Sequence, residues 1–376
     1  MTSPITAITM PKWGLTMTEG KVVKWLKPPG AAFAQGEELL EIETSKITNV
    51  MEAEADGTLL RIVAPEGSTL PIGALLAVIA PENTPAADIE AFVAGFVVAA
   101  PSEATTETEA PTPRDLDAAG QRLRILEMGT GTGAPVLLLH GFGADLNSWM
   151  FNQPALAEAG RTIALDLPGH GGSAKDVGAG DADALTGAVA AALAALGIEQ
   201  AHFVGHSLGG AVAAALAARR PDRVASLTLI AAAGLGPEIN AAFIDGFIRA
   251  ARRKDATEVL QLLVHDPALV SRTMVEDVLR YKRLDGVPAA LETIAHAWFA
   301  GGRQTLDLVA AITALTMPVQ VIWGRDDRII PVAHAQALAT RLPQAQQVHI
   351  LPQSGHLPHM EKSGEVNRLI RRFVAA

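Results

Sequence analysis

The chain of 376 residues contains no cysteine. That excludes disulfides, thiolate zinc sites and a cysteine nucleophile together, so any thiol chemistry must use a thiol brought by a cofactor or substrate. A basic excess is also missing. The formal net charge of −10 has the wrong sign for neutralising a phosphate backbone, and nucleic acid is not expected as a partner. Long apolar runs are absent too. Ala91–Ala100, the longest in the first third, is too short to span a bilayer. Met1–Met10 has no basic segment followed by an apolar stretch, so no secretory leader is read there. Neither membrane association nor a metal site is expected, and the cytoplasm is the default compartment. What is present, 49% apolar and 19% charged residues, suits a soluble globular protein. The length suggests two domains, one of them large.

The first eighty residues repeat themselves. Gly20, Gly30 and Gly36 recur as Gly57, Gly67 and Gly73, each 37 positions on, and Leu39 and Ile42 recur as Leu76 and Ile79. Val22 and Val23 match Leu59 and Leu60, and Pro28 matches Pro65. Each half reads as short strands punctuated by Gly and Pro turns. Two equal all-β halves predict a small flattened barrel with an internal two-fold. At its midpoint, Glu41-Ile42-Glu43-Thr44-Ser45-Lys46-Ile47-Thr48-Asn49-Val50 reads as a hairpin whose polar Thr-Ser-Lys turn would hold an accessible amine at one tip.

Over roughly residues 3–80 the sequence resembles the lipoyl domains of 2-oxo-acid dehydrogenase complexes, through Gly20-Lys21-Val22-Val23-Lys24-Trp25, Gly36-Glu37 and Ile42-Glu43-Thr44-Ser45-Lys46. The resemblance implies covalent lipoate on Lys46. Ser45 stands where the family most often has Asp. Biotin carriers share the fold but usually set methionines on both sides of the lysine; here Ser45 and Ile47 flank it, which favours lipoate. Alone, such a lysine is ordinarily a solvated hairpin residue.

Residues 81–117 change character. Ile89, Phe92, Val93, Phe96 and Val97 follow helical spacing, with Asp88 a candidate cap. Pro101–Pro113, rich in Pro, Thr, Glu and Ala, reads as an extended, mobile linker. The small helical subunit-binding domain that acyltransferase components of the large complexes carry in this region is not found.

From residue 118 strands and helices alternate, as in α/β proteins. Val136–Leu139, Thr162–Leu165, His202–Val204, Leu227–Ile230, Val319–Ile322 and Gln347–Ile350 suit buried parallel strands. Ala184–Leu196 and Gly209–Arg219 suit helices between them. Gly205-His206-Ser207-Leu208-Gly209 lies between a strand and a helix, the context in which G-x-S-x-G forms a sharp turn around a nucleophile. Asp327 follows the Val319–Ile322 strand and His356 the Gln347–Ile350 strand, and Ser, acid, His is the order of α/β-hydrolases. In the implied chemistry His356 takes the Ser207 proton, Asp327 orients the imidazole, and the backbone N–H groups of Phe142 and Leu208 form an oxyanion hole. His359 and Asp326 are rivals to His356 and Asp327. His140, His170 and His206 read as structural.

Over about 118–376 the chain resembles the α/β-hydrolase superfamily, through the motifs above and through Asp166–Ser173 and Trp323–Pro331. Helical residues 235–310 would form a cap over the site. In the cap, the basic run Arg249, Arg252, Arg253 and Lys254 could meet phosphates, although such a run is more often a solvated face.

The fused pair resembles the acyltransferase components of acetoin dehydrogenase systems. That implies transfer of an acetyl group from S-acetyl-dihydrolipoyl-lysine to coenzyme A. The implied partners are a thiamin-diphosphate-dependent acetoin-cleaving enzyme and a flavin-dependent dihydrolipoyl dehydrogenase, with homo-oligomerisation left open. The H-x-x-x-D-G signature of most 2-oxo-acid acyltransferases is absent. Two other readings stand beside this one: a thioesterase or esterase with a tethered lipoyl arm, and a lipoyl carrier whose second domain is only a scaffold.

Overall fold

In a computed structural model, residues 5–13, 17–44, 48–53, 55–96, 111–342 and 347–375 are described. The chain divides into two compact units, Met1–Ala110 and Pro111–Ala376.

The first unit is two four-stranded sheets built from β1 (Thr6–Thr9), β2 (Glu19–Trp25), β3 (Ala32–Phe33), β4 (Glu38–Glu43), β5 (Thr48–Glu52), β6 (Gly57–Ile62), β7 (Thr69–Pro71) and β8 (Leu75–Ile79). One sheet runs β1-β8-β6-β3 and the other β5-β4-β2-β7. Exchanging β1 with β5, β8 with β4, β6 with β2 and β3 with β7 turns one sheet into the other, which is the two-fold expected from the repeat. The repeated glycines do equivalent work. Gly30 and Gly67 turn the chain at φ 86° and 87°, a conformation that costs other residues strain. A Cβ on Gly20 would lie 2.7 Å from Met10 Sδ, and one on Gly57 2.6 Å from Ile79 Cγ2. Leu39, Leu40, Ile42, Leu59 and Leu76 fill the core between the sheets.

Helix α1 (Ala86–Gly95) follows. Its start differs from expectation. Pro85 occupies the N-cap and no side chain caps the helix; Asp88 lies inside the first turn, donating its N–H to Pro85 O. Glu90 of α1 meets Arg61 of β6 at 3.3 Å.

The second unit is an eight-stranded sheet ordered β16-β15-β14-β13-β11-β12-β10-β9. Its strands are β9 (Arg114–Ala118), β10 (Gln121–Met128), β11 (Val136–Leu139), β12 (Thr162–Leu165), β13 (Ala201–His206), β14 (Val224–Ile230), β15 (Val319–Gly324) and β16 (Gln347–Leu351). Strands β11 to β16 are mutually parallel. Their near-continuous apolar runs suit strands covered on both faces. β9 and β10 form an antiparallel edge, and β9 begins four residues before the expected start of this domain.

Around the sheet lie α2 (Gln153–Ala157), α3 (Ala182–Ala195), α4 (Leu208–Arg219), α9 (Val309–Thr313), α10 (Ala333–Ala339), α11 (Pro358–Glu361) and α12 (Ser363–Val374). Between β14 and β15 the chain inserts α5 (Ala241–Arg249), α6 (Arg253–Leu260), α7 (Arg272–Lys282) and α8 (Val287–Trp298), which form the helical cap. Among the described residues no helix is long and apolar enough to cross a membrane.

Candidate active site

The strand order reverses between β11 and β13, because β12 lies on one side of β11 while β13 to β16 build outward on the other. In an open α/β sheet such a switch leaves a crevice at the strand ends. Ser207 follows β13 there and His140-Gly141-Phe142 follows β11. Register pairs Leu139 with Gly205, so the two loops leave the sheet side by side. A Cβ on Gly141 would sit 3.1 Å from Ser207 Cβ.

Ser207 is held at φ 52°, ψ −116°, a region where a residue with a side chain is strained. The fold around it enforces the strain. Ser207 N donates to Ile230 O at 2.9 Å, and Ser207 O accepts from Ala211 N and Ala233 N. The flanking glycines leave room for this turn: a Cβ on Gly205 would lie 2.5 Å from Gly209 O and one on Gly209 2.5 Å from His140 O. Ser207 is 6% exposed, at the positive end of α4. Among the described residues, neither the Phe142 nor the Leu208 N–H has a protein acceptor.

Asp327 and His356 extend from the ends of β15 and β16. His356 Nδ1 donates to Asp327 Oδ2 at 2.8 Å, and the Asp327 side chain is fully buried. The other oxygen, Oδ1, accepts from Ile329 N at 2.8 Å and Ile330 N at 3.0 Å, which fixes the carboxylate plane. The rivals are placed differently. Asp326 pairs with His265 Nδ1 at 2.9 Å, both side chains about two-fifths exposed. His359 is fully buried and, among the described residues, neither ring nitrogen has a hydrogen-bond partner.

The other histidines frame the site. His206 Nε2 donates to His356 O at 2.8 Å, tying the Ser207 turn to the His356 loop. His140 Nε2 accepts from Leu167 N. Burial drives these imidazoles toward the neutral form: His140 falls to about 4, His170 to about 3 and His359 to about 3, and His206 also falls well below its ordinary value. Asp166 takes the N–H groups of Leu146 and Gly172 on its two oxygens at 2.6 Å each, and burial raises its carboxyl to about 7.

Other residues of the site carry no sequence signal. Glu361 bridges core and cap: Oε1 accepts from Gly355 N at 2.8 Å and Oε2 from His265 N at 2.7 Å. His356 N donates to Leu263 O of the cap at 2.7 Å. Phe247 of α5 and Phe299 after α8 pack edge-on against Phe142, each with ring centroids 5.9 Å apart, covering the Phe142 loop with apolar surface.

In the first unit, β4 and β5 pair as far as Glu43 and Thr48. Lys46, which the sequence reading marks for modification, lies outside the described residues.

A family model of biotin-requiring enzymes matches residues 6–79, and one of the alpha/beta hydrolase fold matches residues 134–363. The class is thus a lipoyl-type domain joined to an α/β-hydrolase-fold domain. A meta-cleavage product hydrolase from Pseudomonas fluorescens IP01 superposes with a TM-score of 0.64 at 25% identity, over 70% of this chain and 97% of that one. A 2-hydroxy-6-oxononadienedioate/2-hydroxy-6-oxononatrienedioate hydrolase from Cupriavidus pinatubonensis is 32% identical over 65% of this chain and 88% of its own. Two relatives span both units. Each carries the name "Dihydrolipoyllysine-residue acetyltransferase component of acetoin cleaving system". The protein from Pseudomonas putida is 45% identical over 99% of both chains; that from Cupriavidus necator is 42% identical over 98% of this chain and 97% of its own. The chain belongs to this family of acyltransferase components.

Proposed function

We propose that the chain transfers an acetyl group from a dihydrolipoyl thioester to coenzyme A through Ser207, His356 and Asp327. The reading is carried by the 2.8 Å bond between His356 Nδ1 and Asp327 Oδ2, set at the same strand ends as the strained Ser207 turn, in a chain of this family. A lipoyl group on Lys46 would present the acyl group as a thioester. The antiparallel pairing of β4 with β5 up to Glu43 and Thr48 fits a hairpin carrier of that kind.

Each step then falls to a residue of this chain. His356 takes the Ser207 proton as Oγ attacks the thioester carbonyl. The Phe142 and Leu208 N–H groups receive the developing oxyanion. The carbon–sulfur bond breaks, the departing sulfur takes the proton from His356, and Ser207 is left acylated. His356 next deprotonates the incoming thiol, whose attack releases the thioester product and returns the proton to Ser207. Asp327 stabilises the imidazolium in both halves. The relatives' name makes each one component of an acetoin cleaving system; in the proposed scheme a thiamin-diphosphate-dependent acetoin-cleaving enzyme would load the arm, and a flavin-dependent dihydrolipoyl dehydrogenase would reoxidise it.

The test is the purified chain with S-acetyl-dihydrolipoamide and coenzyme A, following acetyl-CoA and free acetate together. Acetyl-CoA as the main product, lost in Ser207→Ala, is the expected result; unchanged formation in that variant refutes the mechanism. The hydrolase relatives favour a second reading in which water is the acceptor. Acetate released at one rate with or without coenzyme A selects it.

A further inference from the structure

Two neighbouring cavities in the cap share Ile248 and Arg249 and differ in charge. The larger, about 480 Å³, has Asp245, Glu292 and His296 in its wall. The smaller, about 210 Å³, is lined by Leu279, Pro288 and Leu291 and by three cations, Arg249, Lys282 and Arg283, with no carboxylate. Of the basic run prominent in the sequence, Arg249 lines this cavity, whereas the other three members are paired with carboxylates. Arg252 pairs with Asp255 at 2.9 Å, Arg253 with Glu276 at 2.7 Å and Lys254 with Glu258 at 3.9 Å. At the small cavity the balance is different. Arg283 has no carboxylate within ion-pair distance among the described residues. Among the described residues Lys282 donates only to the carbonyls of Phe247 and Ala250, and it lies 5.4 Å from the Phe247 ring centroid. Arg249 reaches Asp245 only at 3.9 Å, with both side chains largely exposed.

A chain of net charge −10 repels an anionic acceptor unless a local cationic site offsets the field. We propose that the Arg249–Lys282–Arg283 cavity anchors the phosphate end of the acyl acceptor, an inference that rests on the thiol-acceptor reading above. The apolar wall of Leu279, Pro288 and Leu291 suits the less polar part of such a ligand, and the two arginines suit its phosphates, which guanidinium groups bind through paired N–H donors. The cavity also adjoins the chemistry. Lys282 is bonded to Phe247 O, and the Phe247 ring packs on Phe142. The proposal thus has the ligand held at the cavity by its phosphates and linked through α5 to the Phe142 loop, with its thiol arm directed toward Ser207. The acidic wall of the larger cavity disfavours phosphate.

The experiment compares coenzyme A with pantetheine, which has the thiol arm without the nucleotide, in the full-length chain and its Arg249→Glu, Arg283→Glu and Arg283→Lys variants. In parallel, adenosine 3′,5′-bisphosphate is titrated by calorimetry, which needs no turnover. Each reversal is expected to raise the ratio of KM for coenzyme A to KM for pantetheine about 10-fold, equal to about 1.4 kcal/mol, with Arg283→Lys between reversal and wild type. Bisphosphate binding should weaken in the same order. A ratio that stays constant, or bisphosphate binding untouched by both reversals, overturns the site. If neither thiol is acylated by the wild type yet the bisphosphate binds and Arg283→Glu abolishes it, the cationic site stands and the acceptor reading fails.

Discussion

Replacing His359 with Phe tests whether burial alone keeps an imidazole neutral beside the site. His359 is fully buried, has no partner on either ring nitrogen among the described residues, and packs 4.8 Å from Trp149 and 4.5 Å from His206 between ring centroids. Its ionisation is pushed down to about 3, first by burial and then by His356. An unfolded histidine titrates near 6.5. Below that pH the unfolded chain takes up a proton that the native ring refuses, so the ring's contribution is complete above pH 6.5 and is lost as pH falls toward 3. Phe cannot titrate, and every other group cancels between the two proteins. The stability of H359F relative to wild type should therefore rise by about 1.4 kcal/mol between pH 8 and pH 5.5, and by about 2.7 kcal/mol by pH 4.5. With a urea dependence of about 3 kcal/mol/M, these correspond to relative midpoint shifts of about 0.5 and 0.9 M. The pH 8 difference itself should be about 1–3 kcal/mol of destabilisation from fitting the larger phenyl ring into a packed site, and it does not enter the pH-dependent change. Urea unfolding followed by tryptophan fluorescence and near-ultraviolet circular dichroism reads the series. A difference that does not change with pH means the native ring accepts a proton, and the argument from burial is wrong.

Asp327→Asn should fold normally and lower acyl transfer by roughly 10³- to 10⁴-fold, whereas Asp326→Asn, which disturbs only the exposed pair with His265, should stay within about 2-fold; steady-state rates on S-acetyl-dihydrolipoamide compare them. Gly205→Ala forces a methyl to 2.5 Å from Gly209 O and should cost more than about 2 kcal/mol by overpacking, read as a drop in the melting temperature of the hydrolase-fold unit. Glu361→Ala strands the Gly355 and His265 N–H groups and should cost about 2–5 kcal/mol; thermal unfolding measures the loss, and an unchanged melting temperature would show that the carboxylate does not clamp the histidine loop. Gly30→Ala and Gly67→Ala should destabilise the isolated first unit by about 1 kcal/mol each and by the same amount as one another, because the two positions share one backbone conformation.

The sequence made the repeat legible because backbone need recurs with it: glycines 37 positions apart take φ values within a degree of each other at Gly30 and Gly67. The parallel strands were legible because apolar runs of four such as Val136–Leu139 have no exposed face to alternate with. The Ser207 turn was legible because its two glycines are forced by backbone approaches under 3 Å. The antiparallel edge was not. Residues 114–117 alternate charge with a single Leu and merge into the polar linker, and only the Ala119–Gly120 turn, both at positive φ, marks the hairpin. The choice between Asp326 and Asp327 depends on which carboxylate the loop buries, a tertiary fact. Within the basic run of the cap, the pairs of Arg252 with Asp255 and Lys254 with Glu258 have helical spacing and could be anticipated. The pairing of Arg253 with Glu276 joins separate helices, as does the meeting of Arg249 with Lys282 and Arg283 around one cavity, so neither has a local signature. Glu361 likewise acts through backbone N–H groups contributed by Gly355 and by distant His265.

The exchange symmetry of the first unit has a topological consequence. In one sheet the pair Glu43 and Thr48 is closed by continuous chain. In its mate the equivalent place is taken by Thr6 and Ile79, where the chain enters the barrel and leaves it. The barrel is thus a ring cut once, and the cut falls at the image of the Glu43–Thr48 pair. The Thr6–Ile79 and Glu43–Thr48 pairs therefore occupy corresponding points of the two halves, so the entry and exit of the chain do not interrupt the connection between β4 and β5.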